Sequence, residues 1–357
     1  MCSMKALATM QAEGHEQVVF FHDRATGLRA IVAIHSTRLG PALGGCRMWP
    51  YPDEDQAIHD VLRLSKAMTY KNAAMDLPLG GGKAVIIGDP RTDKTPELFE
   101  AFGRCLERLG GAYITAEDVG TSPQDMLAVQ RMTTHVAGLP GKSGDPSPAT
   151  AFGVYNGIKA CLAHVYGDET IAGRRVAVQG LGAVGWHLCE HLHADGAHLI
   201  VADIFADKVQ RAVERFGAVA VEPDAIYEVD CDVFAPCALG GVINDDTVLR
   251  LKARIVAGSA NNQLAEARHA GALRERGILY APDFIINGGG VINVAAELAP
   301  GGYDRERAYR QVAEIRNKVA RAIHIAEERG ITTHEAAILM AKARLERREA
   351  SMALASE

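Results

Sequence analysis

The sequence predicts a two-domain α/β protein whose second domain is a doubly wound parallel sheet. Three observations lead there. The chain has 357 residues, which at about 100–200 residues per domain implies two domains. Short apolar runs alternate with segments of helical spacing along most of its length, the pattern of strands covered by helices. Between Arg174 and Tyr280 the alternation becomes regular, as a doubly wound sheet requires. With 48% hydrophobic and 23% charged residues, the chain has the balance of a folded protein able to bury two cores.

The elements follow in order. Gln17–Phe21 and Leu28–His35 flank an Asp-Arg-Ala-Thr-Gly turn and read as a hairpin. The Gly- and Pro-rich segment from Leu39 to Pro52 reads as a loop. From Asp53 to about Ala74, residues Ile58, Val61, Leu62, Leu64, Ser65 and Met68 fall on one helical stripe. Asp53 and Glu54 are placed to complement its start. A glycine loop follows, then a short strand Ala84–Ile87, a helix from about Pro96 to Leu109 and a strand Ala112–Thr115. The stretch 138–148 is rich in turn formers and marks a boundary between a first domain, 1–140, and a second, 141–329. A helix from about Thr150 to Tyr166 opens the second domain. Its strands are Arg175–Gln179, His198–Ala202, Val233–Ala235, Ile255–Ala257 and Ile278–Tyr280. A long helical stretch from about Asp304 to Arg329 precedes a last helix near Thr333–Arg348, and residues 330–357 are expected to return to the first domain.

Composition excludes several classes. A net charge of −6 with no dense Lys/Arg face argues against a nucleic-acid partner. Seven cysteines (2, 46, 105, 161, 189, 231 and 237) are scattered without a C-x-x-C pair, so neither a disulfide framework nor a structural metal site is expected. A reducing, cytoplasmic location fits that usage. No uncharged apolar run approaches about 18 residues, so no membrane span is expected, and the first residues lack the pattern of a signal peptide. Met1–Gly14 and the tail after Arg348 carry no readable function.

The strongest motif is Gly180-Leu181-Gly182-Ala183-Val184-Gly185, which follows the apolar strand Val176–Gln179 and opens a helix. The first glycine permits a tight turn, the second lets backbone approach a pyrophosphate, and the third lets helix pack on strand. Exposed N–H groups at the helix start bind the phosphates. Asp203, 18 residues beyond Gly185 at the end of the next strand, can accept hydrogen bonds from the adenosine ribose and would repel a 2′-phosphate. The motif therefore predicts a Rossmann domain binding NAD in preference to NADP. The bland alternative is a glycine turn in an unrelated α/β protein.

Three charged residues end regular elements at loops: Lys71, closing the first long helix; Lys83, after Gly80-Gly81-Gly82; and Asp118, in Thr115-Ala-Glu-Asp118-Val-Gly. A phosphate-binding P-loop at Gly82-Lys83 fails, because Leu77 and Ala84 stand where that motif needs a glycine and a Ser or Thr. A lysine packed among glycines suggests a crowded, poorly hydrated pocket, where an amine gives up its proton more readily and can act as a general base. Singly, Lys71 reads as a solvated helix end, Lys83 as a loop charge and Asp118 as a helix cap before Pro123. Spacing alone does not make them converge.

Here the sequence resembles the amino-acid dehydrogenases of the glutamate/leucine/phenylalanine/valine superfamily, most closely their leucine dehydrogenase branch. The resemblance rests on residues 39–49, 68–73, 79–83, 113–120, 235–240, 260–263 and 281–294, in order and across almost the whole chain. It implies reversible, NAD-dependent oxidative deamination of a branched-chain aliphatic L-amino acid to a 2-oxo acid and ammonia, in a cleft between the two domains of a homo-oligomer. By the same resemblance, Lys71 holds the substrate carboxylate, Lys83 is the catalytic lysine and Asp118 its acidic partner. Gly44 offers backbone to the carboxylate, and Asn262 binds substrate. Asn261 lies on the coenzyme ribose side, and Thr150 contacts the nicotinamide amide. Helix capping is the alternative reading for Thr150 and for both asparagines, with Gln263 opening a helix. Leu43, Ala116, Val291 and Val294 line the side-chain pocket, the alternative being that Leu43 and the two valines are merely core. Their apolar character counts against glutamate. Phenylalanine and tryptophan dehydrogenases of the same family, a dinucleotide-binding regulator without catalysis, and a hydroxy-acid enzyme are the rivals. Cys46 and the pair Met75-Asp76 depart from the family pattern, and the loop 138–146 looks short.

Overall fold

The computed structural model describes residues 5–355, with side chains described as far as Arg348. It divides into two compact units. Unit 1 takes the chain up to Asp145, Val294–Arg305 and the segment from Ala341 onward; unit 2 takes Pro146–Asn293 and Glu306–Met340.

Unit 1 contains α1 (Ala6–Glu13), β1 (Gln17–Asp23), β2 (Leu28–Ser36), β3 (Ala42–Trp49), α2 (Glu54–Ala74), β4 (Gly80–Ile87), α3 (Pro96–Glu107), β5 (Tyr113–Glu117) and α4 (Pro123–Gln130). Its sheet has the order β1-β2-β4-β3-β5. The pairs β1–β2 and β2–β4 are antiparallel, while β4–β3 and β3–β5 are parallel. Helix starts are set by side chains: Asp53, Thr95 and Ser122 accept backbone N–H groups of Gln56, Leu98 and Asp125, relieving donors that a helix leaves unpaired. Alternation along the strands separates two layers. Cys46, Met48, Ala84 and Ile86 pack with Phe99, Phe102 and Met126 of α3 and α4, while Ile31, Ala33 and Val85 pack with Ile58, Val61 and Leu62 of α2.

Two segments expected as loops are strands. Residues within 39–52 form β3, in the interior of the sheet, and the triple glycine belongs to β4. Low strand propensity is overridden by close packing. A Cβ at Gly44 would lie 1.8 Å from the Gly82 carbonyl oxygen, and one at Gly81 would lie 2.0 Å from the backbone nitrogen of Thr69. These strands carry glycine because neighbouring backbone occupies the side-chain space. The same contact explains α2, whose buried face runs through Ser65, Thr69 and Asn72 while Leu64 and Met68 are only half-buried.

Unit 2 begins with α5 (Ser147–Tyr166), β6 (Arg175–Gln179), α6 (Ala183–Ala194), β7 (His198–Ala202), α7 (Ala206–Phe216), β8 (Val219–Ala220) and β9 (Val233–Pro236). It continues through α8 (Thr247–Arg250), β10 (Ile255–Val256), α9 (Arg268–Glu275), β11 (Leu279–Tyr280), α10 (Asp283–Ile286) and α11 (Gly289–Ala295). The chain closes with α12 (Arg305–Ala313), α13 (Ile315–Arg329) and α14 (Thr333–Ala355). The six strands, in the order β11-β10-β9-β6-β7-β8, are all parallel. This is the doubly wound dinucleotide-binding topology, with its order reversing between β6 and β9. The stretch expected as one helix from Asp304 is two, divided at Glu314. β8 was not foreseen, because two exposed residues carry no apolar pattern.

Among the described residues, six cysteines are free thiols; Cys2 lies outside them. No described helix is long and apolar enough to cross a membrane.

Candidate active site

In unit 1 the sequence-predicted Lys83 and Asp118 meet. Lys83 stands inside β4 with a side chain only 5% exposed, and its Nζ lies 3.0 Å from Oδ2 of Asp118. Asp118 follows β5 in a turn fastened to β3. The Thr121 hydroxyl accepts the Asp118 N–H (2.9 Å) and donates to the Cys46 carbonyl (2.9 Å), while the Met48 N–H donates to the Val119 carbonyl (3.0 Å). Asp118 is therefore not the cap of α4; Ser122 fills that place. The same Oδ2 also accepts from Arg47 Nε at 3.1 Å. Arg47 Nη1 donates to Asp60 Oδ2 (2.8 Å), an oxygen that also receives the Tyr51 hydroxyl (2.7 Å).

Electrostatics separates two adjacent carboxylates. Burial pushes the Asp118 carboxyl up, but Lys83 and Arg47 outweigh it and hold the group below the usual carboxylate range. Glu117 lacks such a cation. Burial first, then Asp145, Asp118 and Asp125, pushes it up to about 7. Opposite shifts in neighbouring acids are a mark of functional sites, though ion-pair networks produce them too.

Lys71 lies half-buried in the last turn of α2. Its neighbour Asn72 is fully buried and donates Nδ2 to the carbonyls of Leu43 (3.2 Å) and Gly80 (2.5 Å), which fixes the end of α2 against β3 and β4. Met75 and Asp76, which break the expected pattern, close that helix end. Asp76 adopts a positive φ of 59° and pairs with Arg344 of α14, whose Nη2 also donates to the Leu77 carbonyl (2.8 Å). Gly44 is buried, its carbonyl accepting the Tyr113 hydroxyl at 2.6 Å. Leu43, Ala116 and Val294 are buried in unit 1, with Ala116 opposite Gly45 across β3–β5. Val291 is half-buried and belongs to unit 2.

In unit 2 the glycine motif occupies the β6–α6 turn at the reversal of strand order. Gly180 has φ +95° and packs against Ala238 of the turn after β9, while a Cβ at Gly185 would lie 2.0 Å from the Gly180 carbonyl oxygen. Gly182 has open space where a side chain would stand. It caps α6 with no side-chain hydrogen bond, leaving the helix start facing outward with Ala183 exposed and Val184 half-buried. Asp203 follows β7 beside this turn, accepting the Leu181 N–H (2.6 Å) and the Phe205 N–H (2.9 Å), one on each oxygen. Each oxygen retains capacity for a ribose hydroxyl. A cradle open at Gly182 and closed at Gly185, with a carboxylate at its rim, fits a nicotinamide dinucleotide.

The other unit 2 candidates lie on neighbouring loops and helices. Thr150 is inside α5, its hydroxyl donating to the Pro146 carbonyl (2.9 Å) and facing Gly290; it is not an N-cap. Asn261 and Asn262 are exposed and no helix begins at Gln263, so the capping alternative fails. Asn261 Oδ1 accepts from Asn287 Nδ2 (2.9 Å), and Asn262 holds φ 51°.

Sequence reasoning missed Arg47, Asp60 and Tyr51. Arg47 lies in a stretch read as loop. Its signal was strand alternation with Leu43 and Gly45, masked by the two glycines.

The chain is similar to known proteins over almost its whole length. Residues 15–135 match the family model described as Glu/Leu/Phe/Val dehydrogenase, dimerisation domain. Residues 141–206 and 201–351 match that of Glutamate/Leucine/Phenylalanine/Valine dehydrogenase. The chain is 54% identical over 346 residues to a leucine dehydrogenase of Geobacillus stearothermophilus, covering 96% of this chain and 94% of the relative. Against a leucine dehydrogenase of Bacillus cereus it is 56% identical over 334 residues, covering 93% and 91%. The crystal structure of L-tryptophan dehydrogenase from Nostoc punctiforme superposes with a TM-score of 0.84 at 44% identity, covering 96% of this chain and 99% of that one. The chain belongs to the glutamate/leucine/phenylalanine/valine dehydrogenase family and is an amino-acid dehydrogenase.

Proposed function

We propose that the protein catalyses the reversible oxidative deamination of a branched-chain aliphatic L-amino acid, leucine with valine and isoleucine. Amino acid, NAD⁺ and water become the 2-oxo acid, ammonia, NADH and a proton. The observation that carries this reading is a lysine held out of water inside a strand, 3.0 Å from an aspartate that also contacts a second cation.

The coenzyme, cradled by Gly180, Gly182, Ala183, Val184 and Gly185, supplies the hydride acceptor. Asp203 at the ribose favours NAD over NADP, with Asn261 and Thr150 assisting at the ribose and the nicotinamide amide. The remaining steps belong to side chains. Lys71, with the backbone of Gly44 and with Asn262, holds the α-carboxylate so that the α-hydrogen is oriented for transfer. Loss of hydride leaves an iminium carbon open to water. Lys83 takes a proton from that water, and its ammonium then stabilises the oxygen of the adduct. Asp118 accepts a proton from the substrate amino group and returns it as ammonia leaves.

Leu43, Ala116, Val291 and Val294 supply an apolar side-chain pocket. Such pockets separate substrates differing by one methylene by only about 1–3 kcal/mol, so the three aliphatic substrates overlap. A homo-oligomer in the cytoplasm, with small-molecule ligands and no nucleic-acid or membrane partner, completes the proposal. The similarity to a tryptophan dehydrogenase along nearly the whole chain keeps an aromatic substrate as second reading. NADH absorbance at alkaline pH with a panel of L-amino acids, ranked by kcat/KM, decides. Leucine, valine and isoleucine leading supports the proposal, phenylalanine or tryptophan leading replaces the substrate, and no turnover with any of them overturns it.

A further inference from the structure

Asp118 carries two cations on one oxygen. Lys83 Nζ at 3.0 Å and Arg47 Nε at 3.1 Å both reach Oδ2, so the two nitrogens are at most about 6 Å apart, close enough for strong like-charge repulsion in a poorly hydrated site. The second cation is not needed to pair the carboxylate, yet it is firmly built in. Its Nη1 is bound by Asp60, which is itself held by Tyr51 and by Arg63 at 3.0 Å. A guanidinium keeps its charge at every working pH. An ammonium on Lys83 therefore always faces a fixed positive neighbour as well as its carboxylate.

We infer that Arg47 is a positioning residue for the reaction proposed above: it clamps Asp118 through Oδ2 and, as a permanent neighbouring charge, biases the Lys83–Asp118 pair towards shedding its proton. Both cations use Oδ2, which leaves Oδ1 to the substrate amino group. The inference rests on the assignment of Lys83 and Asp118 as the reacting pair.

Other titratable groups surround the pair. On β3, Cys46 is buried and its thiol is pushed up by desolvation. β5 contributes Tyr113 and Glu117. Asp125 on α4 is paired with Lys94 at 2.6 Å. His35 lies on the neighbouring strand β2, pushed down to about 4 by burial and His15. Lys71 closes α2. Arg47 shares the Asp118 oxygen Oδ2 with Lys83.

The test is the pH profile of kcat/KM for L-leucine oxidation by NAD⁺ in wild type, Arg47→Gln, Arg47→Lys and Asp60→Asn, with Lys83→Ala as control. The titration of the substrate ammonium is common to all, so differences belong to the enzyme. Removing the charge in Arg47→Gln should raise the acidic limb by about one pH unit. Arg47→Lys should keep the limb with reduced kcat, since it retains charge and loses the fork. Asp60→Asn removes a carboxylate that offsets Arg47 and should move the limb the opposite way. A merely structural role would lower turnover without moving the limb, and that result in Arg47→Gln overturns the inference. Should Arg47→Gln not fold, an unmoved limb in Asp60→Asn does the same. An active Lys83→Ala is a different failure, one that removes the underlying assignment of the pair.

Discussion

Replacing Asp118 by asparagine tests the pair through stability, independently of turnover. The change keeps the shape and removes the charge. It leaves Lys83, 5% exposed, without its counter-ion, and Arg47 with Asp60 alone. Breaking a buried ion pair costs about 3–5 kcal/mol. Asp118 is itself 23% exposed and asparagine keeps an acceptor, so the expected loss is about 2–4 kcal/mol. Because the folded carboxyl is held below the usual range, its contribution is present above the unfolded value of about 4 and disappears as pH falls through the folded one. The gap between wild type and variant should therefore shrink as pH falls below about 4. The two tryptophans make the measurement possible. Trp49 lies on β3 of unit 1 and Trp186 on α6 of unit 2, so in a Trp186→Phe background fluorescence during denaturant unfolding follows unit 1. A gap below about 0.5 kcal/mol at neutral pH, within the range of ordinary surface substitutions, or a gap that widens as pH falls below about 4, would refute the reasoning.

Glu117→Gln should behave oppositely. A carboxyl raised from 4.5 to about 7 takes stability away as pH rises through that window, so the variant should lack this decline in pH-dependent unfolding of unit 1. Gly81→Ala places a methyl 2.0 Å from backbone in α2; overpacking of this kind should lower stability by at least about 2 kcal/mol and turnover with it, as seen by denaturation and NADH assay. Asp203→Ala should weaken NAD more than NADP, measured as the ratio of the two coenzyme dissociation constants; an unchanged ratio contradicts the ribose assignment.

The parallel sheet of unit 2 was legible because buried strands are short apolar runs bounded by turn residues, and a glycine turn between strand and helix fixes its own geometry. β6 and β7 begin and end where the pattern places them. Unit 1 was legible only at its margins. β3 and the start of β4 are rich in glycine, and local propensity reads glycine as loop. Their strand state comes from backbone approaching within the space of a side chain at Gly44 and Gly81, a tertiary cause with no local signal. The site shared that limit. Lys83 and Asp118 were picked out from motif and resemblance, but what joins them is the pairing of β3 with both β4 and β5. Arg47 stayed hidden because its role depends on the strand that had been read as a loop. Helix capping stood as the alternative reading for Thr150 and the two asparagines because Thr and Asn have high N-cap preference, whereas the backbone places Thr150 within α5 and starts no helix after Asn262.

The most direct test of the account is Lys83→Ala, assayed for NADH formation from L-leucine and for NADH binding by fluorescence. Lys83 lies in unit 1 and the glycine cradle in unit 2, so the account predicts coenzyme affinity close to wild type and a fall in turnover of at least about 100-fold. Turnover near that of wild type, with coenzyme binding intact, would contradict it.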